Sequence, residues 1–128
     1  MVALILTPVG GCRVEPEPTL DSATTASGDY TVRYEFEPDP IPRNEHFVMH
    51  VLLSRKDGLE FAHGLSVVVD ADMPAHGHGI NTQPEVTMVS PGVYKVEGLL
   101  FHMGGQWELF VDVMEDGIPD RATIPIKM

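Results

Sequence analysis

Cysteine, basic residues and long apolar runs are scarce in this sequence, and each scarcity excludes a class of protein. The single cysteine, Cys12, cannot form an internal disulfide, so a fold held by cross-links is excluded. Lys and Arg total 8 against 19 Asp and Glu, and the net charge of -11 repels phosphate groups, which argues against nucleic acid as a partner. Beyond the first residues, no apolar run approaches the ~20 residues of a membrane-spanning helix. The 128 residues, 43% of them hydrophobic, fit one globular domain.

The residues of common catalytic centres are also missing. Ser66 and Ser90 have no neighbouring acid and base in a nucleophile arrangement, and no phosphate-binding glycine loop follows a strand and opens a helix. A blue-copper electron-transfer site needs a thiolate beside two imidazoles, but Cys12 lies outside the globular part of the chain. We therefore expect neither an enzyme nor a cupredoxin.

The N-terminal residues have the composition of an exported, anchored protein. Residues 1–12 combine a short apolar run with small residues before Cys12, which resembles a bacterial lipoprotein signal. This resemblance implies cleavage before Cys12, acylation of that cysteine and attachment to a membrane through the lipid. A frayed apolar terminus or a buried first strand is the alternative. Residues 13–28 are rich in Glu, Pro, Ser and Thr and predict a flexible tether to a domain at 29–128.

Alternating apolar and polar residues predict strands through the rest of the chain, and no segment carries a helical apolar stripe. Seven short strands separated by Pro, Gly and Asp turns indicate an all-β, immunoglobulin-like antiparallel sandwich, with a small Greek-key barrel as the alternative. The predicted strands are residues 30–36, 46–54, 65–70, 85–89, 93–101, 106–114 and 122–128.

Two glycine-framed clusters carry the side chains that could bind a ligand. In the predicted loop 70–79, His76 and His78 are two residues apart, so both imidazoles leave the same side of an extended backbone and can close on one metal ion. The second cluster, residues 101–105, contains His102 and Met103. Imidazole and thioether together are a ligand combination that suits copper.

Counting reversals of strand direction predicts that these clusters meet. If each connection reverses the chain, connections one, three and five lie at the same end of the sandwich, and His63 lies at the other end. The start of the second strand adds His46 as a further candidate. The alternatives are solvated loop histidines, methionines that only fill the core, and a strand-end histidine with a backbone partner. The candidate metal ligands are Met73, His76, His78, His102 and Met103, with His46 in addition.

Three segments together resemble a known family. Residues 72–79 (DMPAHGHG), 92–98 (GVYKVEG) and 101–109 (FHMGGQWEL) are similar to the YtkA-like domain, which is related to FixH-like proteins. The resemblance covers residues 29–128 and implies a small extracytoplasmic or membrane-anchored β-sandwich linked to copper handling. It also implies copper binding by the His and Met candidates. Many relatives have a methionine-richer loop, whereas Ala75 and Ile80 stand here, so Cu(I), Cu(II) and Zn(II) all stay open.

The leading hypothesis is an exported copper chaperone or buffer, lipid-anchored in the cell envelope on the periplasmic or extracytoplasmic side. It would bind copper, or zinc, at one end of the sandwich and pass the ion to a copper-accepting envelope protein. The rival hypothesis is a metal-free immunoglobulin-like module that contacts a partner protein through the histidine loop.

Overall fold

Two antiparallel β-sheets make up the computed structural model, which describes residues 10–11, 19–59, 61 and 65–128. The five-stranded sheet has the order β1-β2-β3-β7-β6, and the four-stranded sheet has the order β5-β4-β8-β9. The predicted all-β sandwich is therefore confirmed. The strands are β1 (Asp21–Thr24), β2 (Tyr30–Glu37), β3 (Phe47–Arg55), β4 (Ser66–Met73), β5 (His78–Gly79), β6 (Glu85–Ser90), β7 (Val93–Leu99), β8 (Gln106–Glu115) and β9 (Ile118–Lys127).

The structure contains two strands that the sequence pattern does not predict. β1 lies inside the predicted tether 13–28 and pairs antiparallel with β2, from Asp21↔Tyr34 to Thr24↔Thr31. The tether interpretation is wrong for this stretch. Its mostly polar side chains show no apolar alternation, but its backbone hydrogen-bonds to β2. β5 is only two residues long and pairs with the end of β4.

The third predicted strand is longer than expected. The alternation of side chains predicts an end at Asp70, but β4 continues to Met73, because β8 pairs with it as far as Asp72↔Glu108 and β5 pairs with Met73 through His78. Part of the predicted loop 70–79 is therefore regular strand, and its turn is confined to the residues after Met73.

The core lies between the sheets and is built from the alternate residues of each strand. β8 contributes four side chains with no exposed surface, namely Trp107, Leu109, Val111 and Val113. Phe101 links the layers at one end, with ring centroids 5.2 Å from Phe47 on β3 and 4.8 Å from Trp107 on β8. Aromatic pairs at these separations add to the stability that burial of their area provides.

The opposite end of the sandwich is closed by a polar network. Tyr30 at the start of β2 donates its hydroxyl hydrogen to Glu115, and Arg55 at the end of β3 donates to both oxygens of the same carboxylate at 2.7 and 3.0 Å. Burial and the bond to Glu115 raise the pKa of Tyr30 to about 12. The network connects the two sheets, because β2 and β3 belong to one and β8 to the other.

Several sequence predictions fall on residues that the structure does not describe. The lipoprotein signal with Cys12 and the position of His63 lie outside the described residues, and both stay predictions. Within the described part of the chain, no helix is long and apolar enough to cross a membrane.

Candidate functional site

Strand registers bring three connections to one end of the sandwich. The last residues of β4 face the first residues of β8 through Asp72↔Glu108, and the start of β3 faces the end of β7 through Phe47↔Leu99. The backbone N–H of Asn44, just before β3, donates to the carbonyl of Phe101 at 2.8 Å. The connections β2–β3, β4–β5 and β7–β8 therefore meet there, as strand counting predicted. We call this the histidine end.

The β4–β5 hairpin positions the histidine pair. The carbonyl of Met73 accepts from the N–H groups of both His76 and Gly77, each at 3.0 Å, and so closes a tight turn after Pro74. Gly77 has a φ of +63°, a conformation that side chains disfavour, and this residue reverses the chain into β5. His78 then pairs with Met73 across the hairpin. Backbone hydrogen bonds therefore hold the loop that carries both imidazoles.

His76 and His78 lie side by side in water. Both residues are exposed, their ring centroids are 6.4 Å apart, and their ring planes differ by 20°. A metal bound ~2.0 Å from one nitrogen of each ring holds the centroids about 5–6 Å apart, which is close to the separation of this pair. The pair is a candidate two-coordinate site that is open to ligand exchange.

The β7–β8 connection contributes the third imidazole. His102 lies edge-on to the indole of Trp107, with ring centroids 5.5 Å apart. Its Nδ1 is buried and has no hydrogen-bond partner among the described residues. A buried ring nitrogen without a hydrogen-bond partner costs free energy. No hydrogen bond among the described residues offsets this cost for Nδ1 of His102.

The two methionines of the predicted site have different environments. Met73 is 1% exposed and belongs to the core, whereas Met103 is 37% exposed. The indole Nε1 of Trp107 donates to the carbonyl of Met103 at 3.0 Å and fixes the backbone of the connection. Met103 is therefore partly open to solvent, while the side chain of Met73 fills space beneath the loop. Buried methionine is a common filler of irregular core gaps.

The two other histidines that the structure describes lie at the histidine end and on the side of the sandwich. His46 is exposed directly before β3, at the histidine end. His50 lies in the middle of β3, and its Nε2 is 2.9 Å from the carboxylate of Glu37. His50 therefore has its own partner on the sheet surface and is not one of the candidate ligands.

The His and Met side chains of the histidine end can be compared with the ligand sets that metal ions require. No group of three or more His, Cys, Asp or Glu side chains among the described residues is arranged to hold a metal ion. Among these residues, the conformation therefore contains no closed three-imidazole site. The donors that the histidine end presents to solvent are the imidazole pair His76 and His78 and, on the neighbouring connection, the partly exposed Met103. Soft thioethers with imidazole suit copper more than zinc, which prefers His, Cys and carboxylate.

One feature near the site was missed by reading the sequence. Asp72 stands directly opposite Glu108 in the β4–β8 register, and one of its carboxylate oxygens, Oδ1, is buried without a hydrogen-bond partner among the described residues. Two like charges in opposed positions destabilise a sheet pair. The alternation of the strand places both residues outward, but only the register shows that they face each other.

Comparisons with known proteins support the fold and the family. The crystal structure of a DUF4426 family protein from Pseudomonas aeruginosa PAO1 superimposes with a TM-score of 0.52 and 14% sequence identity, covering 79% of this chain and 91% of that one. At this identity the likeness shows a shared fold alone. Comparison with curated proteins gives no significant match. The model of the YtkA-like family matches residues 24–112, which is more than half of the sequence and includes β2 to β7 and most of β8. The chain therefore belongs to the YtkA-like family.

Proposed function

We propose that this protein binds copper at the histidine end of its sandwich and acts as an extracytoplasmic copper chaperone or buffer. The observation that supports the proposal most directly is the exposed pair His76 and His78, held 6.4 Å apart between ring centroids on a hydrogen-bonded hairpin. A hairpin held by backbone bonds limits the conformational entropy that metal binding would otherwise cost. The exposed thioether of Met103 on the adjacent connection supplies the soft ligand that Cu(I) accepts.

The open position of the pair favours transfer over storage. Both histidines are exposed, and an ion held there has coordination positions facing solvent. A ligand from a copper-accepting envelope protein could enter those positions before the donor histidines leave. The net charge of -11 raises the local concentration of cations around the chain and assists capture at low ionic strength.

His102 and His46 extend the proposed site. The buried, unpartnered Nδ1 of His102 becomes satisfied if a small movement of the β7–β8 connection turns the ring toward the ion. His46 belongs to the same end and is a secondary candidate. Met73 contributes only if its side chain leaves the core, so we assign the thioether role to Met103 first. Zinc is the competing ion, at a nitrogen-only site formed by the histidines.

The test is metal titration of the full chain, with a reductant present for Cu(I) and without one for Cu(II) and Zn(II). The parent, the double variant His76→Ala/His78→Ala and the control His50→Ala are each titrated with Cu(I) under a competing chelator, with Cu(II) and with Zn(II). We expect Cu(II) to bind the parent more tightly than Zn(II), following the general order of stability at nitrogen sites. The double variant should lose at least about tenfold in affinity for both copper states, which corresponds to about 1.4 kcal/mol.

The control makes the outcome specific to the hairpin. His50 forms its own contact with Glu37 on the sheet surface, so His50→Ala removes one imidazole without touching the histidine end. Equal copper affinity in the parent and the double variant would overturn the proposal. Absence of any copper or zinc binding by the parent would favour the rival function, a metal-free interaction module on the cell envelope.

A further inference from the structure

Strand β1 decides from which end of the sandwich the N-terminal part of the chain leaves the fold. β1 runs antiparallel to β2, so its first residue, Asp21, pairs with Tyr34 near the end of β2. β2 ends at Glu37 and leads into the β2–β3 connection, which belongs to the histidine end. The chain that precedes Asp21 therefore leaves the sandwich at the histidine end.

Neighbouring residues confirm this position of Asp21. Its side chain lines a cleft together with Arg43, from the β2–β3 connection, and Met128. Met128 in turn exchanges backbone hydrogen bonds of 2.8 and 3.1 Å with Gly105 on the β7–β8 connection. Asp21 thus lies beside two of the three connections that form the histidine end.

The opposite end of β1 is bound to the four-stranded sheet. The backbone N–H of Ala26 donates to the carbonyl of Arg121 at 2.9 Å, and that of Ser27 donates to Oδ1 of Asp120 at 3.1 Å. Both acceptors belong to β9, whereas β1 itself pairs with β2 of the five-stranded sheet. These bonds tie β1 to both sheets, so we expect the strand to stay in place when the N-terminus is held.

β1 therefore reverses the attachment that the sequence pattern predicts. A tether over residues 13–28 would lead directly into β2 at Tyr30, which lies at the opposite end, beside Glu115. Residues 13–30 reach up to about 60 Å when fully extended, whereas residues 13–21 reach only about 30 Å. With β1 in place, the chain that follows Cys12 is about half as long and joins the sandwich at the histidine end.

We propose that attachment of Cys12 to a membrane lipid turns the histidine end toward that membrane, so that a copper-accepting partner embedded in the membrane meets the site there. The orientation rests on the predicted acylation of Cys12, and the copper cargo rests on the proposed function. A protein is the partner rather than the lipid surface, because the net charge of -11 repels anionic headgroups. The short tether, and not attraction to lipid, holds the histidine end near the bilayer.

The test compares two positions of an added tryptophan in the full chain, whose only tryptophan is Trp107. Cys12, the only cysteine, is coupled to maleimide-headgroup lipid in phosphatidylcholine vesicles that also carry dansyl-labelled headgroups. Glu45→Trp adds a fluorescence donor at the histidine end, and Ile118→Trp adds one at the opposite end, where this residue pairs with Glu115. Both positions are exposed, so the core stays unchanged.

Energy transfer to the dansyl headgroups should be stronger from position 45 than from position 118. The nine residues of β3 separate the two ends by about 26 Å, at ~3.3 Å a step, and transfer falls steeply with distance, so we expect at least about a twofold difference in efficiency after the signal of the parent is subtracted. Equal transfer from both positions, or stronger transfer from position 118, would overturn the inference. No metal is present, so this outcome is independent of the copper titration.

A matched control lengthens the tether without changing the fold. Twelve Gly and Ser residues inserted between Pro18 and Thr19 add a root-mean-square reach of about 20 Å and should lower transfer from position 45 and reduce the difference between the two positions. A difference that the insertion leaves unchanged would overturn the inference, because the tether would not set the orientation. Strong transfer from the uncoupled chain would also overturn it, by showing that the protein binds lipid headgroups directly.

Discussion

The Cε of Met73 lies 2.9 Å from the point that a Cβ on Gly105 would occupy. This contact joins the β4–β5 hairpin to the β7–β8 connection, the two segments that carry the candidate ligands. Gly105 has a φ of +127° and exchanges backbone hydrogen bonds with Met128, so the chain there has little freedom to move away. Glycine is required at this position for two reasons: the backbone has a positive φ, and the side chain of Met73 occupies the space that a Cβ would need.

Gly105→Ala should destabilise the fold by about 1–3 kcal/mol, because the added methyl is strained by the positive φ and overlaps Met73. The free energy of unfolding in urea measures the loss. Gly117→Ala is the matched control, since Gly117 also has a positive φ, +77°, but no atom lies within 4 Å of the point that its Cβ would occupy. Equal losses in the two variants would show that the overlap with Met73 contributes nothing.

Replacing each of the two methionines in turn should show which side chain binds copper and which one only fills the core. Met103→Leu should weaken Cu(I) relative to Cu(II), because the exposed thioether is lost while apolar volume is nearly kept. Met73→Leu should leave Cu(I) affinity unchanged and cost less than ~1.5 kcal/mol in stability. Cu(I) titration under a competing chelator and urea unfolding measure the two effects. If Met73→Leu weakens Cu(I) binding and Met103→Leu does not, the assignment of the thioether is reversed.

Acid should weaken the end of the sandwich opposite the histidines. Hydrogen bonds from Tyr30 and Arg55 lower the pKa of Glu115 below its ordinary value of 4.5. A carboxylate whose pKa is depressed by folding contributes stability above its unfolded pKa, and that contribution is lost as the pH falls through the lower folded value. Glu115→Gln should therefore flatten the decline in unfolding free energy below about pH 4.5. A pH profile that is identical to that of the parent would contradict the role of this network.

Alkali should weaken the same network through its tyrosine. Folding raises the pKa of Tyr30 from 10.0 to about 12, chiefly through burial and then through its bond to Glu115. The protonated hydroxyl therefore contributes stability that is complete below pH 10 and is lost as the pH rises toward 12. Tyr30→Phe should remove this part of the decline, which unfolding in urea at stepped alkaline pH would reveal. A parent and a variant that decline in parallel would exclude Tyr30 as the cause.

Local sequence pattern was sufficient for most of the strands. Alternating side chains such as Trp107, Leu109 and Val111 predicted β8 within one residue, because a half-buried strand must place every second residue in the core. The pattern could not predict β1, whose residues Asp21 to Thr24 are mostly polar, since an edge strand is held by backbone bonds to β2. It also could not predict β5, which is too short to show any period.

Some features of the candidate site could likewise be predicted from the sequence, and others only from the structure. Glycine spacing and residue type were sufficient to single out His76 and His78, and reversal counting was sufficient to predict that their hairpin and His102 share one end. Only the tertiary structure decided that Met73 is buried while Met103 is exposed, because burial depends on which residues pack above a side chain and not on its neighbours in sequence. Register, likewise, is a property of two strands together, so the facing pair Asp72 and Glu108 could be found only in the assembled sheets.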